Sequence, residues 1–140
     1  TPQGNNSTVV KISIATGDVS WATRISSNNS WSANGIAVSG NNVYVCGQQY
    51  SVGWIARYDT SGNLQNYQNY TYNNRNNSVN FTGCAPAPNG DVYVMGNWGN
   101  SYNVFWMRLT SALSSPTWQI HLVEKFGQEL YSRQTSMSNR

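Results

Sequence analysis

Charge is scarce in this sequence. Asp, Glu, Lys and Arg together make up 9% of it, against roughly 25% in an average soluble protein. One histidine, five carboxylates and two cysteines leave few groups for acid–base, nucleophilic or metal chemistry. No apolar run approaches the ~18 residues of a membrane-spanning helix, so helical membrane insertion is not expected. Eight bases against five acids give a net charge of +3, but the bases do not cluster as a nucleic-acid groove requires. No window sustains the 3.6-residue apolar period of a helix. Water is held instead by neutral polar groups. The chain has 20 Asn and 18 Ser among its 140 residues, with 13% aromatics. Val, Ile, Trp and Tyr in short runs argue against disorder.

Thr1 is not an initiator methionine, and no basic segment with an apolar stretch follows it. The chain reads as a mature product, a processed piece or the visible part of something longer. Cys46 and Cys84 permit one bridge at most. Both lie in strand-like runs, where buried free thiols are the preferred reading over a Cys46–Cys84 disulfide.

The sequence repeats itself. Gly35-Ile36-Ala37-Val38 leads through Ser39–Asn42 into Val43-Tyr44-Val45-Cys46-Gly47, and Gly83-Cys84-Ala85-Pro86 leads through Ala87–Asp91 into Val92-Tyr93-Val94-Met95-Gly96. Tyr44 to Tyr93 and Gly47 to Gly96 are both 49 residues. Lys11, Arg57 and Arg108 each stand between apolar residues, and ten residues after each comes Trp21, Tyr67 or Trp118. The steps are 46 and then 51 in both series. A period of this size falls in the range of propeller blades, about 40–50 residues.

Each period reads as four strands. In the first full repeat they are Gly35–Val38, Val43–Gly47, Trp54–Asp59 and Leu64–Tyr70. In the second they are Gly83–Pro86, Asp91–Gly96, Val104–Leu109 and Thr117–Leu122. The chain opens on the third and fourth strands alone, Thr8–Ile14 and Val19–Ile25. The expected organisation is a trailing half-blade over 1–25, full blades over 26–70 and 71–122, and the start of a further blade or an irregular tail over 123–140. Phe126-Gly127 is a candidate start for that further blade. The fold class is therefore all-β: four-stranded antiparallel sheets making about three β-propeller blades. A propeller typically closes with at least four blades. The expectation is a fragment of a larger propeller, or blades from several chains completing one ring.

NNVYVCG followed by WIARYDTSGNL, and NGDVYVMG followed by FWMRLTSAL, resemble the repeats of the seven-bladed β-propeller family of bacterial and phage proteins. The resemblance covers residues 8 to about 122, with Trp21 and Trp118 in the family's Trp position and Tyr67 standing there in the middle repeat. Ser114-Ser115-Pro116 departs from the family's Ser-Gly-Asn turn, and residues 123–140 fit poorly. VYVCG and the Asn-rich, low-charge composition are most similar to tail-fibre-like virion proteins of marine cyanophages. The resemblance implies a fold far more specifically than a function.

The candidate chemistry is thin. His121 is alone, with no ligand-spaced partner, and reads as structural. Asp18 and Asp91 each follow a glycine, Asp59 stands three residues before Gly62, and all three read as turn residues that bond the backbone. Asp59–Asn63 lacks the acidic count of a calcium loop. Glu124 and Glu129 fall in the poorly fitting segment, so no glycosidase pair is argued from them. The periodic bases read as structural, with their stems along the sheet. No enzyme, no metal site and no cofactor is expected.

Alternate links of an up-and-down blade emerge at the same end. Ser39–Asn42, Ala87–Gly90 and Thr60–Asn63 are tight, whereas Gln48–Gly53, Asn97–Asn103, Ser26–Asn34 and Thr71–Thr82 are longer and unequal. The long-link end carries Trp31, Tyr50, Tyr72, Trp98 and Tyr102 among amides such as Asn100. Flat rings beside amide donors and acceptors suit stacking on sugars; the alternative is that some rings cap the blades. Trp31, Tyr50, Trp98, Asn100 and Tyr102 are the expected ligand contacts, with Trp98 and Tyr102 foremost. The expected function is a non-catalytic virion structural or attachment module of a phage fibre or tail appendage. Its partners would be other virion or surface subunits and a host-surface glycan, outside the cell, with no nucleic acid. The alternative is a secreted or cell-surface bacterial propeller with lectin-like or adhesive binding. A signal peptide in the parent reading frame would mark the second.

Overall fold

β-Branched and aromatic runs cut by Gly, Asn and Pro become strands, joined into antiparallel sheets. The computed structural model describes residues 7–25, 31–71, 78–99, 103–113, 118–123 and 131–134. A two-stranded sheet pairs β1 (Thr8–Ile12) with β2 (Val19–Arg24). A four-stranded sheet runs in sequence order through β3 (Trp31–Ser39), β4 (Asn42–Gln49), β5 (Val52–Asp59) and β6 (Leu64–Tyr70). The last sheet holds β7 (Val79–Pro86), β8 (Val92–Trp98), β9 (Asn103–Leu109), β10 (Trp118–Val123) and β11 (Tyr131–Gln134), again in sequence order. The only helical turn among the described residues is a 3-10 turn at Pro88–Gly90. The fold is all-β, with sheets packed face to face as in part of a β-propeller.

Two details depart from four strands per repeat. β11 pairs with β10, Val123 opposite Tyr131, so the last sheet gains a fifth strand. Phe126-Gly127 and the rest of 124–130 lie outside the described residues. β3 and β7 also begin at Trp31 and Val79, four residues before the glycines where strands were expected. A register shift between Ala33 and Gly35, and another between Phe81 and Gly83, joins the two halves of each strand. The bulges hide the early halves from any simple two-residue alternation.

The middle sheet is covered on both faces, which is why Val43 to Cys46 is buried without a break. Val43, Val45, Trp54, Ala56 and Tyr58 face the first sheet and pack with Val9, Trp21 and Ile25. Tyr44, Cys46 and Ile55 face the last sheet and pack with Phe81, Val92, Val94, Phe105, Met107 and Leu109. All four valines of the two VYV runs are buried.

Hydrogen bonds latch the sheets together. Lys11 Nζ and Trp21 Nε1 donate to the Thr60 carbonyl at 3.1 and 2.9 Å, and Thr23 Oγ1 donates to the Gly62 carbonyl at 3.0 Å. Between the second and third sheets, Ser39 Oγ donates to Ala87 O at 2.9 Å. Tyr44 Oη donates to Gly90 O at 2.6 Å, and Asn34 Nδ2 to Phe81 O at 2.8 Å. Apart from the Lys11 ammonium, the latches use neutral donors, in keeping with the composition.

Asp59 fixes the β5–β6 turn. Its carboxylate accepts the Ser61 and Asn63 backbone N–H groups, both at 2.9 Å, and the Asn63 and Gln65 side-chain amides at 3.0 and 2.9 Å. These bonds, the Asn63 backbone N–H first, hold its pKa below the usual carboxylate value. A carboxylate depressed in the folded state adds stability that is present above its unfolded pKa of about 3.9 and lost as pH falls through the lower folded value. The urea midpoint should therefore drop less from about pH 5 to about pH 2 in Asp59→Asn than in the parent. Equal drops would show that the turn carboxylate contributes nothing.

Candidate functional site

Two ends of the sheets can be told apart by their links. At one end, the Ser51 carbonyl accepts the Val79 N–H at 3.0 Å and the Ser78 carbonyl accepts the Gly99 N–H at 2.9 Å. The β4–β5 and β8–β9 links thus meet the residues that lead into β7, and alternate links share one end. The β4–β5 link is shorter than expected. Gln48, Gln49, Val52 and Gly53 enter the ladder, leaving Tyr50 and Ser51 as a two-residue turn.

The ladder also decides the fate of Trp98. It pairs with Asn103 and Val79 at the end of β8, is only 8% exposed, and packs on Phe105 with ring centroids 5.9 Å apart. Trp98 caps the core, as the alternative reading allowed. This corrects the expectation that it stands in a loop with a ring open to ligand. Asn97-Trp98-Gly99-Asn100 has loop composition, but the ladder extends through it. Tyr102, Asn100 and Tyr72 lie outside the described residues.

Trp31 and Tyr50 lie at the same end of the sheet, with no contact between their rings. Trp31 opens β3 opposite Gln49, one residue before Tyr50. Tyr50 is 69% exposed and takes a left-handed φ of 53°, a conformation that a non-glycine residue rarely holds. Gln48 Nε2 steadies it by donating to its carbonyl at 2.6 Å.

Two residues that sequence reasoning did not assign to the site join Trp31. Trp54 on β5 packs on it at 5.3 Å, tilted by 48°, and Tyr67 on β6 at 5.8 Å, tilted by 37°. Gln49 and Asn69 flank the rings, since Gln49 pairs with Trp31 and Asn69 with Trp54. Tyr67 reaches this patch because of its register. Lys11 pairs with Trp21 and Arg108 with Trp118, but Arg57 pairs with Asn66, and Tyr67 stands opposite Ala56. The Ile12-to-Val19 link spans 13–18, whereas the Tyr58-to-Leu64 link spans 59–63. One residue fewer turns the strand over. Tyr67 therefore does not hold the place that Trp21 holds in its sheet.

Trp31 is half-buried and Tyr67 partly open, while Trp54 is fully buried beneath them. Among the described residues, the Trp54 Nε1 hydrogen is the one buried side-chain polar group without a partner. Such an unsatisfied donor costs about 1–3 kcal/mol. Burial raises the Tyr67 hydroxyl above its ordinary pKa, opposed by its hydrogen bond to the Asn69 side chain. The phenol stays neutral and its ring remains an uncharged stacking surface. The patch thus offers two partly open rings and two amides, with Trp54 sealed beneath them.

The recurring bases are occupied elsewhere. Arg57 Nη1 donates to Asn42 Oδ1 at 2.9 Å, and its other nitrogens bond the Asn66 side chain. Arg108 pairs with Asp91 at 2.7 Å, the residue equivalent to Asn42 in the repeat. Each base ties a sheet to its own tight turn, and Lys11 ties to the next one. Their heads lie in hydrogen bonds. Asp91 bonds a guanidinium, and Asp59 a turn. Glu124 and Glu129 lie outside the described residues. Among the described residues, no three His, Cys, Asp or Glu side chains gather as a metal site. No protein-family model matches the chain, and no curated protein matches it at a significant level.

Proposed function

We propose that this is a non-catalytic virion structural or attachment module, of the kind carried by a phage fibre or tail appendage. It holds host-surface glycan at the Trp31–Trp54–Tyr67 patch and neighbouring subunits through its open sheet face. The observation that carries the glycan half is the pair of partly open rings, Trp31 and Tyr67, packed together and flanked by the Gln49 and Asn69 amides. A sugar ring stacks by its apolar face on an aromatic, and its hydroxyls fill donor and acceptor positions. Binding to host cells or to a panel of purified surface polysaccharides tests it. Trp31→Ala should weaken binding by ~1–3 kcal/mol, on the scale of aromatic stacking to a ring ligand, with an unchanged circular dichroism spectrum. Asn41→Ala, at the opposite end of the sheet, should leave binding as it was. Loss in Asn41→Ala with none in Trp31→Ala would refute the site.

Repeat equivalence supports the assembly half. The Tyr44–Cys46–Ile55 face of the middle sheet is covered by β7. Its counterpart on the last sheet holds Met95, 52% exposed, and Val104, also exposed. Among the described residues no further sheet covers that face. On the middle sheet, Ile36 is 57% exposed where the two-stranded first sheet falls short. Met95 and Ile36 occupy the positions at which Cys46 and Cys84 meet. A further blade of the same repeat is the partner whose chemistry fits the Met95 face.

A further inference from the structure

We infer that Cys46 and Cys84 are a redox pair that closes a disulfide between β4 and β7, fastening the middle sheet to the last. Cys46 lies on the face of β4 that packs on the last sheet and is fully buried. Cys84, on β7, is half-buried and packs against the same core. Both side chains belong to the one apolar cluster between the sheets, and Cys84 Sγ lies 3.9 Å from the carbonyl oxygen of Tyr44, the residue two before Cys46 on the same face of β4. The backbones are close here as well. Gly35 pairs with Cys46, and a β-carbon on Gly35 would fall 2.8 Å from the Cys84 nitrogen and 2.7 Å from the Gly83 Cα. The sheets therefore already sit together where a bridge would form.

The repeat sharpens the point. Met95 stands where Cys46 would recur, and Ile36 where Cys84 would. Apolar residues hold these positions elsewhere, and the chain's two thiols occur at the one junction where they face each other. The pair is also asymmetric in chemistry. The neighbouring Cys46 thiol lowers the pKa of Cys84, while Cys84 and burial push Cys46 up. Thiolate character thus favours the more accessible sulfur, as in a redox-sensing cysteine beside a resolving one.

The oxidant class that fits is a small-molecule disulfide such as oxidised glutathione. The Cys84 thiolate attacks one of its sulfurs, forms a mixed disulfide and expels one small thiolate, which takes up the proton released by Cys84. Cys46 then loses its proton and attacks the Cys84 sulfur, and the second small thiol leaves with that proton. Two protein thiols are oxidised and one small disulfide is reduced to two thiols.

The test incubates the folded chain with oxidised glutathione, then quenches and alkylates it in denaturant. The expected result is an intact mass lower by two hydrogens, both cysteines protected, and a peptide linked through Cys46 and Cys84. The melting temperature should rise by about 5 °C or more, since a native bridge adds a few kcal/mol, and dithiothreitol should reverse the change. Cys46→Ala should instead trap the glutathione adduct on Cys84. Alkylation of both cysteines after exposure, or a lasting adduct on Cys84 in the parent chain, would overturn the inference.

Discussion

Val94→Asp should destabilise the fold by about 3–5 kcal/mol, the loss expected when a buried charge has no partner. Val94 is fully buried on β8. Met107 stands opposite it on β9 and Cys84 on β7, in a core with Phe81, Val92 and Phe105. The nearest base along the ladder is Arg108, which pairs with Tyr93 and so projects from the other face. The new carboxylate would meet apolar groups and stay unpaired. Total stabilities of about 5–15 kcal/mol leave little margin for such a loss. Urea unfolding with two probes measures it. A near-neutral result would mean that this face of β8 is open to water and that the last sheet does not pack on the middle one.

Gly47→Ala and Gly96→Ala should each cost about 3 kcal/mol, at the upper end of overpacking penalties. These glycines close the two VYV runs. A β-carbon at Gly47 would fall 1.8 Å from the Ser32 carbonyl oxygen, and one at Gly96 would fall 2.3 Å from that of Asn80. Both obstacles are backbone atoms of the neighbouring strand beside its bulge. No rotamer change relieves them, so the strands must part. Gly83→Ala is the internal control, because a β-carbon there meets nothing within 4 Å. Similar midpoints for all three variants would show that the close approach at the bulge is not what the repeat glycine serves.

The glycines also show how far the sequence could be read. The VYV runs and the 49-residue step between them placed β4 and β8, because strands covered on both faces must be apolar almost throughout. The early halves of β3 and β7 escaped notice because the bulge sets their alternation out of phase with the halves that follow. Asn34 and Asn80 use their amides between sheets, so nothing in their hydropathy marks them as ordered. β11 lacked a signal for the same reason, since Tyr-Ser-Arg-Gln contains no apolar run.

The site was legible in part. The shared end of the alternate links followed from blade topology, and it placed Trp31 and Tyr50 at one end of the sheet. Trp54 and Tyr67 were missed because their place depends on register. A one-residue difference between two turns carries Tyr67 to the Trp31 side, and no local preference records that difference. Pattern also misled at Trp98, where loop-like neighbours conceal a ladder position.

The latches between sheets have a kinetic meaning. The bonds from Lys11, Trp21 and Thr23 to the β5–β6 turn, and those from Asn34, Ser39 and Tyr44 to the last sheet, span 39 to 49 residues. Loop-closure entropy grows only with the logarithm of length, so every docking step begins against nearly the same entropic barrier. None requires the far ends of the chain to meet first. Folding of this kind advances by nearest-neighbour addition, as in a one-dimensional array. The middle sheet, which gains contacts on both sides, is its natural seed. Such a chain can acquire order as it emerges during synthesis, one sheet behind the next.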